Sequence, residues 1–285
     1  DKFTKFGKRF LRCLVCAPCR VYMPAMKLRL PFLKKTTSVN VVRLHGVIGT
    51  GGRSALNDAA LAPVLERAFA KGNPSAVAIS VNSPGGSPVQ SSLIRSRIRR
   101  LSEEKEIPVF AFVEDVAASG GYWLASCADE IFADPASIVG SIGVISAGFG
   151  LQDLIARYGI ERRVYTAGKS KSMLDPFREE KQEDVDRLTS ILGDVHDVFF
   201  QHVKSTRGGK ITQDIDVFTG EVWLAERAKE LGLIDEVGHL VPTLKNRFGD
   251  KVKLRVIEQK RSFSQRFGLS ISDSVVGTIE ERIMA

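Results

Sequence analysis

Ser119 has the sequence surroundings of a reactive hydroxyl group. It follows residues 108–113, an apolar run that predicts a buried strand, and it precedes residues 122–128, which predict a buried helix. A serine at such a turn faces the free N–H groups of a helix N-terminus, which favour developing negative charge. Its small neighbours, Ala118 and Gly120, leave the hydroxyl uncovered. Serine is also a favourable N-cap, so a nucleophile and a structural cap both stay open at this point.

A second loop has the composition of a hydrogen-bond donor site. The sequence N-S-P-G-G-S at residues 82–87 follows a strand predicted for residues 76–81. Pro84 favours an extended Ser83, and the two glycines permit positive φ with no side chain in the way. Such a loop can direct backbone N–H groups into a cleft, as an oxyanion hole requires. A tight turn without function has the same signature.

A serine nucleophile needs a base, and the candidates are histidines and lysines. The four histidines lie in a predicted strand, on a long predicted helix and after a glycine turn: His45, His196, His202 and His239. None follows the strand of Ser119, so we interpret all four as solvated or satisfied within the core. A lysine base must be neutral, which requires desolvation that lowers its pKa. Lys169 and Lys171 both lie in a loop after a predicted strand.

The elements that must position these residues alternate along the chain. Strands and helices alternate through the first half of the body, which predicts parallel strands joined by right-handed crossovers. The strands are predicted at residues 41–48, 76–81, 108–113, 130–134, 138–145 and 162–166, and the helices at 55–71, 89–104, 151–158 and 179–204. Residues 218–238 predict a strand, a helix capped by Gly232 and a return strand.

Five ordered motifs resemble peptidase family S49, the signal peptide peptidase A family, in its short single-domain form. They are N-S-P-G-G-S at 82–87, A-A-S-G-G-Y at 117–122, V-G-S-I-G at 139–143, A-G-K-S-K at 167–171, and F-T-G at 218–220 with G-L-I-D at 232–235. The resemblance runs from about residue 41 to residue 239. It implies an α/β fold of the ClpP/crotonase type, with repeated β-β-α superhelical units and a mostly parallel sheet.

The resemblance also implies roles for individual residues. Ser119 matches the nucleophile, Lys171 the general base, and Ser141 the serine that orients the lysine. Gly86 and Gly120 match the two oxyanion donors. The implied protein is a serine endopeptidase with a Ser-Lys dyad, without cofactor or metal, that acts on membrane-associated or signal-peptide-like substrates and assembles into a homo-oligomer.

Two other functions stay open, and the chain divides into three parts. A crotonase-type acyl-CoA enzyme would share the fold but would need a carboxylate at the reacting centre; a catalytically inactive scaffold would bind membranes or partners. We expect an N-terminal arm and linker at residues 1–38, a peptidase domain at 39–240 and a C-terminal extension at 241–285.

The arm carries most of the positive charge. The net charge is +8, but residues 1–35 hold ten Lys or Arg against one acid, which leaves the body almost neutral. This distribution argues against a nucleic-acid-binding domain. Charged residues also interrupt the arm too often for a bilayer span. We expect either a segment that lies on an anionic membrane surface or targets the protein to an organelle, or a basic tail.

Three of the four cysteines also lie in the arm, in a C-x2-C-x2-C run: Cys13, Cys16 and Cys19. A nearby fourth ligand for zinc or an iron–sulfur cluster is missing, so lipid-modified or reduced thiols are the preferred interpretation.

Overall fold

The computed structural model describes residues 37–50, 55–168 and 170–258, which form eight strands and seven helices. The strands are β1 (Ser38–His45), β2 (Ala76–Ser83), β3 (Val109–Ala118), β4 (Glu130–Ala133), β5 (Ile138–Gly140), β6 (Val222–Leu224), β7 (Glu236–Val237) and β8 (Lys253–Val256). The helices are α1 (Asp58–Ala70), α2 (Pro88–Lys105), α3 (Gly120–Ala125), α4 (Gln152–Arg157), α5 (Gln182–Arg207), α6 (Ala225–Glu230) and α7 (Leu240–Phe248).

The strands form one mostly parallel sheet. Its order is β6-β5-β3-β2-β1-β8, with β4 beside β3 and β7 beside β4, and only the β5–β6 pair is antiparallel. Along β3, residues 110–113 pair with β4 and residues 116–118 pair with β5, so β3 changes neighbour just before Ser119. The predicted α/β fold with a mostly parallel sheet is confirmed.

Both faces of the sheet are covered, which explains the continuous apolar runs in the central strands. Side chains alternate between the faces, so Val77, Ile79 and Val81 of β2 enter the larger cluster that includes residues of α1, α2 and α3. Ala76 and Ala78 enter the smaller cluster on the opposite face. There Leu244 of α7 packs with aromatic residues of the sheet: Phe110, Phe112 and Phe132. The central strands are therefore fixed from both sides.

The structure differs from the sequence-based expectation between β5 and α5. Residues 162–166 were expected as a strand but form none, and β5 ends at Gly140 instead of residue 145. The described residues of 144–181, which we call the exposed segment, include none that is buried. A segment with strand-forming composition becomes a strand only when it pairs with another strand, and residues 162–166 pair with no described strand.

The two ends of the chain are described unequally. Residues 240–256, at the start of the expected C-terminal extension, contribute α7 and β8, and β8 pairs with β1. The arm at residues 1–36, its three cysteines and residues 259–285 lie outside the described residues. The expected domain boundaries and the membrane role of the arm stay predictions. No helix in the described part of the chain is long and apolar enough to cross a bilayer.

Candidate active site

Ser119 occupies a strained turn between β3 and α3. Its φ is +51° and its ψ is −122°, a conformation that costs a non-glycine residue about 1–3 kcal/mol. The surroundings hold it there: its N–H donates to the Gly140 carbonyl at 2.9 Å, its carbonyl accepts from Trp123 N–H at 3.0 Å, and all six residues of α3 are buried. Its side chain makes no capping hydrogen bond. The structural-cap interpretation is therefore wrong for this serine.

The glycine loop lies directly against Ser119. Gly85 and Gly86 have φ values of +106° and +137°. A Cβ on Gly85 would lie 2.8 Å from both the Ser119 Cβ and the Gly120 nitrogen, so only glycine permits this approach. The loop is anchored to Ile48, which donates to the Gly85 carbonyl and accepts from Ser87 N–H, both at 2.8 Å.

Two backbone N–H groups beside Ser119 have no acceptor among the described residues. The Gly86 N–H makes no hydrogen bond to any described residue. The Gly120 N–H is the first of α3, where a helix offers its donors no internal acceptor. Both glycines line the same cleft as Ser119. The site thus offers two donors next to a hydroxyl, the arrangement that stabilises an oxyanion.

Ser141 follows β5 in a second strained turn. Its φ is +52°, and its N–H donates to the Glu221 carbonyl at 2.6 Å. The preceding Gly140 has a φ of +117°, and a Cβ there would collide with the Glu221 carbonyl and the Trp223 ring. The structure therefore brings Ser141 to the same cleft as Ser119.

These residues line a cleft of about 730 Å³. Much of its wall is apolar, with Trp123, Val195, Phe199 and Phe218 among the lining residues. The rings of Trp123 and Phe199 stack with their centroids 4.6 Å apart, which fixes α5 against α3. No aspartate or glutamate lies among the described residues that line the cleft. The cleft wall therefore combines apolar side chains with the polar groups of Ser119, Ser141 and His196.

Lys171 is not among the described residues that line this cleft. It lies in the exposed segment, its side chain is exposed, and its N–H donates to the Gly168 carbonyl at 3.3 Å. Lys169 lies outside the described residues. Of the five residues matched to catalytic roles, the structure brings together Ser119, Ser141, Gly86 and Gly120 but does not bring Lys171 to them.

The histidines, all four of which are described, include one that sequence reasoning missed. His196 lines the cleft, and its Nε2 lies 3.2 Å from the Ile142 carbonyl oxygen. A signal was available, because His196 follows Leu192 by four residues and precedes Phe199 by three, which places it on the inward face of α5. The interpretation of His196 as solvated or core-satisfied overlooked this position.

Of two other histidines, His239 agrees with its interpretation, whereas His202 is only partly satisfied, because its buried Nδ1 has no hydrogen-bond partner among the described residues. His202 is buried, and its Nε2 lies 2.9 Å from the Ser126 hydroxyl. Burial first, and then the charge of Arg95, lower the pKa of His202 to about 4. His239 is exposed at the start of α7. Neither lines the cleft.

The G-L-I-D motif supports the fold instead of the chemistry. Arg207 is almost fully buried and donates to Asp235 at 2.7 Å and to the Gly232 carbonyl. Burial alone would raise the pKa of Asp235, but hydrogen bonds from Arg207, Lys210 and the Ile131 N–H outweigh it and lower this pKa. Asp235 thereby joins the end of α5 to β4 and β7.

Cys127, in the loop after α3, is buried as well, and burial raises the pKa of its thiol to about 12. A thiol that stays protonated at neutral pH is a poor nucleophile, so Cys127 has a packing role.

Comparison with known proteins identifies the family. The model of peptidase family S49 matches residues 102–254, which include Ser119, Ser141 and Lys171. The chain is 52% identical over 233 residues to a Brucella melitensis protein named Na(+)/H(+) antiporter NhaA, covering 81% of this chain but only 32% of that protein. It is 30% identical over 261 residues to the Synechocystis sp. protein named "Putative protease slr0021", covering 89% of this chain and 90% of that protein. It is 31% identical over 202 residues to the chloroplastic serine protease SPPA of Arabidopsis thaliana, covering 70% of this chain and 29% of that protein.

The chain thus spans about a third of the Brucella and Arabidopsis relatives and nearly all of the Synechocystis one. The match covers only 32% of the Brucella protein, so its antiporter name does not carry over to this chain. The family match covers more than half of the chain and includes the strained serine and the second cleft serine. These findings show that the chain belongs to peptidase family S49.

Proposed function

We propose that the protein is a serine endopeptidase in which Ser119 is the nucleophile and Lys171 the general base. The observation that carries the proposal is the strained Ser119, whose side chain makes no capping hydrogen bond. It lies in a cleft beside two backbone N–H groups that donate to no described residue. Backbone strain of this kind persists only where the surroundings impose it, and it clusters at active sites. Family membership and the match of Lys171 to the motif A-G-x-x-K support the base.

The chemistry is acyl transfer to serine followed by hydrolysis. The neutral amine of Lys171 takes the proton of the Ser119 hydroxyl as its oxygen attacks the peptide carbonyl carbon. The N–H groups of Gly86 and Gly120 donate to the oxyanion. The ammonium then protonates the leaving amine, and water, activated by the same lysine, releases the acyl group from Ser119. Ser141 would orient Lys171 by a hydrogen bond.

The proposed mechanism requires Lys171 to reach the cleft, and assembly of the chain would bring it there. A lysine base must be desolvated to be neutral near pH 7, whereas Lys171 is exposed in the single chain. The exposed segment also leaves large apolar side chains in solvent: Ile145, Phe149, Leu154, Tyr158, Ile160 and Tyr165. Apolar side chains grouped in this way mark a contact surface. We propose that copies of the chain assemble through this segment, and that assembly buries Lys171 beside a Ser119.

The substrates that fit are peptides with apolar side chains, as in membrane-associated or signal-peptide-like segments. The apolar wall formed by Trp123, Val195 and Phe199 supports this class. The charge of residues 1–35 would keep the protein at an anionic membrane surface, where such segments occur. Membrane attachment rests on the sequence alone, because these residues lie outside the described part of the chain.

The two rival functions have less support. A crotonase-type enzyme would need a carboxylate at the reacting centre, and the described cleft lining contains none. An inactive scaffold would have no use for a strained serine beside two free donors.

A fluorophosphonate probe and three variants test the proposal. Wild-type protein should label at Ser119, and Ser119→Ala should abolish both labelling and cleavage of an apolar peptide. Lys171→Ala should lower kcat by several orders of magnitude, because nucleophile and base act as one unit. Lys169→Ala is the matched control, since it removes a neighbouring lysine at a variable position of the motif, and it should cleave normally. Wild-type protein that neither labels nor cleaves would contradict the proposal.

A further inference from the structure

His196 joins α5 to the turn that carries Ser141. Its Nε2 lies 3.2 Å from the carbonyl oxygen of Ile142, the residue after Ser141. A carbonyl can only accept, so Nε2 must carry the proton, and in the neutral ring Nδ1 is then the unprotonated nitrogen. His196 also lines the cleft that holds Ser119 and Ser141. The contact therefore links a helix in the cleft wall to the backbone of the proposed site.

The turn needs such a contact because it is strained. Ser141 has a φ of +52°, which a non-glycine residue adopts only when its surroundings impose it. The Ser141 N–H is held by the Glu221 carbonyl at 2.6 Å, and the Ile142 side chain is fully buried. The peptide group between Ile142 and Gly143 is held on its carbonyl side by His196. The N–H side of the same peptide group donates to the Ser141 carbonyl at 2.9 Å. Without His196 the Ile142 carbonyl would lose its described donor, and one hydrogen bond instead of two would orient the peptide group.

We propose that His196 is a positioning residue, which keeps Ser141 in the orientation that the base requires by holding the Ile142 carbonyl. The inference rests on the proposed function, because it assigns His196 to the Ser119–Lys171 chemistry. It distinguishes His196 from a general base. The Nε2–H group donates to the carbonyl in both protonation states of the ring, so positioning does not require His196 to titrate.

Two substitutions of similar polarity separate these roles. In His196→Gln the amide nitrogen takes the place of Nε2 and can still donate to the Ile142 carbonyl, whereas in His196→Asn it takes the place of Nδ1 and falls short. We expect His196→Asn to lower kcat several-fold to about tenfold, the effect of one hydrogen bond, with KM almost unchanged. His196→Gln should stay within about twofold of wild type and keep its pH profile. His239→Gln is the control, because His239 is exposed and outside the cleft.

A double-mutant cycle tests whether His196 acts through Ser141. If it does, adding His196→Asn to Ser141→Ala should change kcat by less than about twofold, although each single change lowers it. Independent effects that multiply would contradict the proposal. Equal rates for His196→Asn and wild type would also contradict it. A His196→Gln variant that is as inactive as His196→Asn and lacks one limb of its pH profile would contradict it too, because that result would identify His196 as a base.

Fluorophosphonate labelling and thermal unfolding complete the experiment. A wild-type protein that does not label would overturn the proposed function itself. Normal labelling of the wild type, together with a wild-type cleavage rate for His196→Asn, would overturn only the role of His196. Equal unfolding temperatures for the Asn and Gln variants should show that their rates differ through the site. If His196→Asn unfolds at a lower temperature and the lost fraction of folded protein accounts for its whole loss of activity, the positioning role would be overturned.

Discussion

The two parts of the proposed site differ in how the chain holds them. The nucleophile side, with Ser119, Gly85, Gly86 and Gly120, is built from strand ends and a fully buried α3. The base side is the exposed segment, where no described residue is buried. The nucleophile side holds a strained Ser119 among closely packed residues, whereas the base side leaves Lys171 exposed to solvent.

This difference follows from what each group needs. Strain at Ser119 persists only where neighbouring backbone over-determines it, and the core of a single chain can supply that. A neutral lysine needs a low-dielectric environment, which the exposed segment does not have on its own. In the proposed mechanism, the single chain therefore holds the nucleophile and the donors in place, whereas the base would depend on a surface that covers the exposed segment.

Mixing two inactive variants should give the largest effect. If another copy supplies Lys171, then Ser119→Ala and Lys171→Ala chains that co-assemble should form some sites with both groups intact, and cleavage should rise by orders of magnitude above either variant alone. The measurement is peptide cleavage after co-expression of the two chains. Ser119→Ala mixed with the Ser119→Ala, Lys171→Ala double variant is the control and should stay inactive. Co-assembly by light scattering without recovered activity would place the base in the same chain as its serine.

Two glycines with similar φ values should respond differently to alanine. Gly85 and Gly168 have φ values of +106° and +99°, but a Cβ on Gly85 would meet Ser119 and Gly120 at 2.8 Å while one on Gly168 would meet no described atom within 4 Å. Gly85→Ala should reduce cleavage at least about a hundredfold, because the donor and the nucleophile must move apart.

Gly168→Ala should cost about 1 kcal/mol of local backbone strain and leave fluorophosphonate labelling of Ser119 unchanged. Labelling rates and circular dichroism of both variants provide the measurement. Equal labelling of Gly85→Ala and wild type would show that the close approach is not required.

A buried ion pair of the core and an exposed ion pair of the exposed segment should differ in their contribution to stability. Asp235→Ala leaves Arg207 buried without its carboxylate and should lower the free energy of unfolding by about 3–5 kcal/mol. Glu161→Ala removes the exposed pair with Arg163 in the exposed segment and should cost under about 1 kcal/mol. Urea unfolding at pH 7 measures both. A Glu161 variant as unstable as the Asp235 variant would mean that the segment is more tightly packed than its exposure indicates.

The pH dependence of stability should carry a smaller contribution from His202. Its pKa is about 4 in the folded protein against about 6.5 in the unfolded chain, so the unfolded state binds more protons between these values. The free energy of unfolding is therefore not reduced by His202 above pH 6.5. It falls by up to about 3 kcal/mol as the pH falls toward 4, because the unfolded chain gains a proton that the buried ring does not. His202→Phe should flatten this part of the curve in urea unfolding from pH 4 to pH 7. His239→Phe, a change at an exposed histidine, should not; identical curves for wild type and His202→Phe would refute the assignment.

The alternation of strands and helices and the residues of the nucleophile side could be predicted from the sequence. Parallel strands end at one edge of their sheet, so loops that follow β2, β3 and β5 must converge there, and Gly86, Ser119 and Ser141 all lie in such loops. The strain at Ser119 and the absence of a cap were not readable, because the same residues suit an ordinary N-cap.

The contacts between groups far apart in the chain could not be predicted, because they depend on how the elements pack. His196 contacts the Ile142 carbonyl 54 positions away in the sequence, and Arg207 contacts Asp235 28 positions away. Hydrophobic periodicity predicts which face of a helix points inward, but it does not predict which distant residue that face contacts. Residues 162–166 have strand-forming composition but no strand beside them, and Lys171 has the motif position of a base but no burial. Pairing and desolvation are properties of the surroundings, and the packing of elements far apart in the chain supplies them.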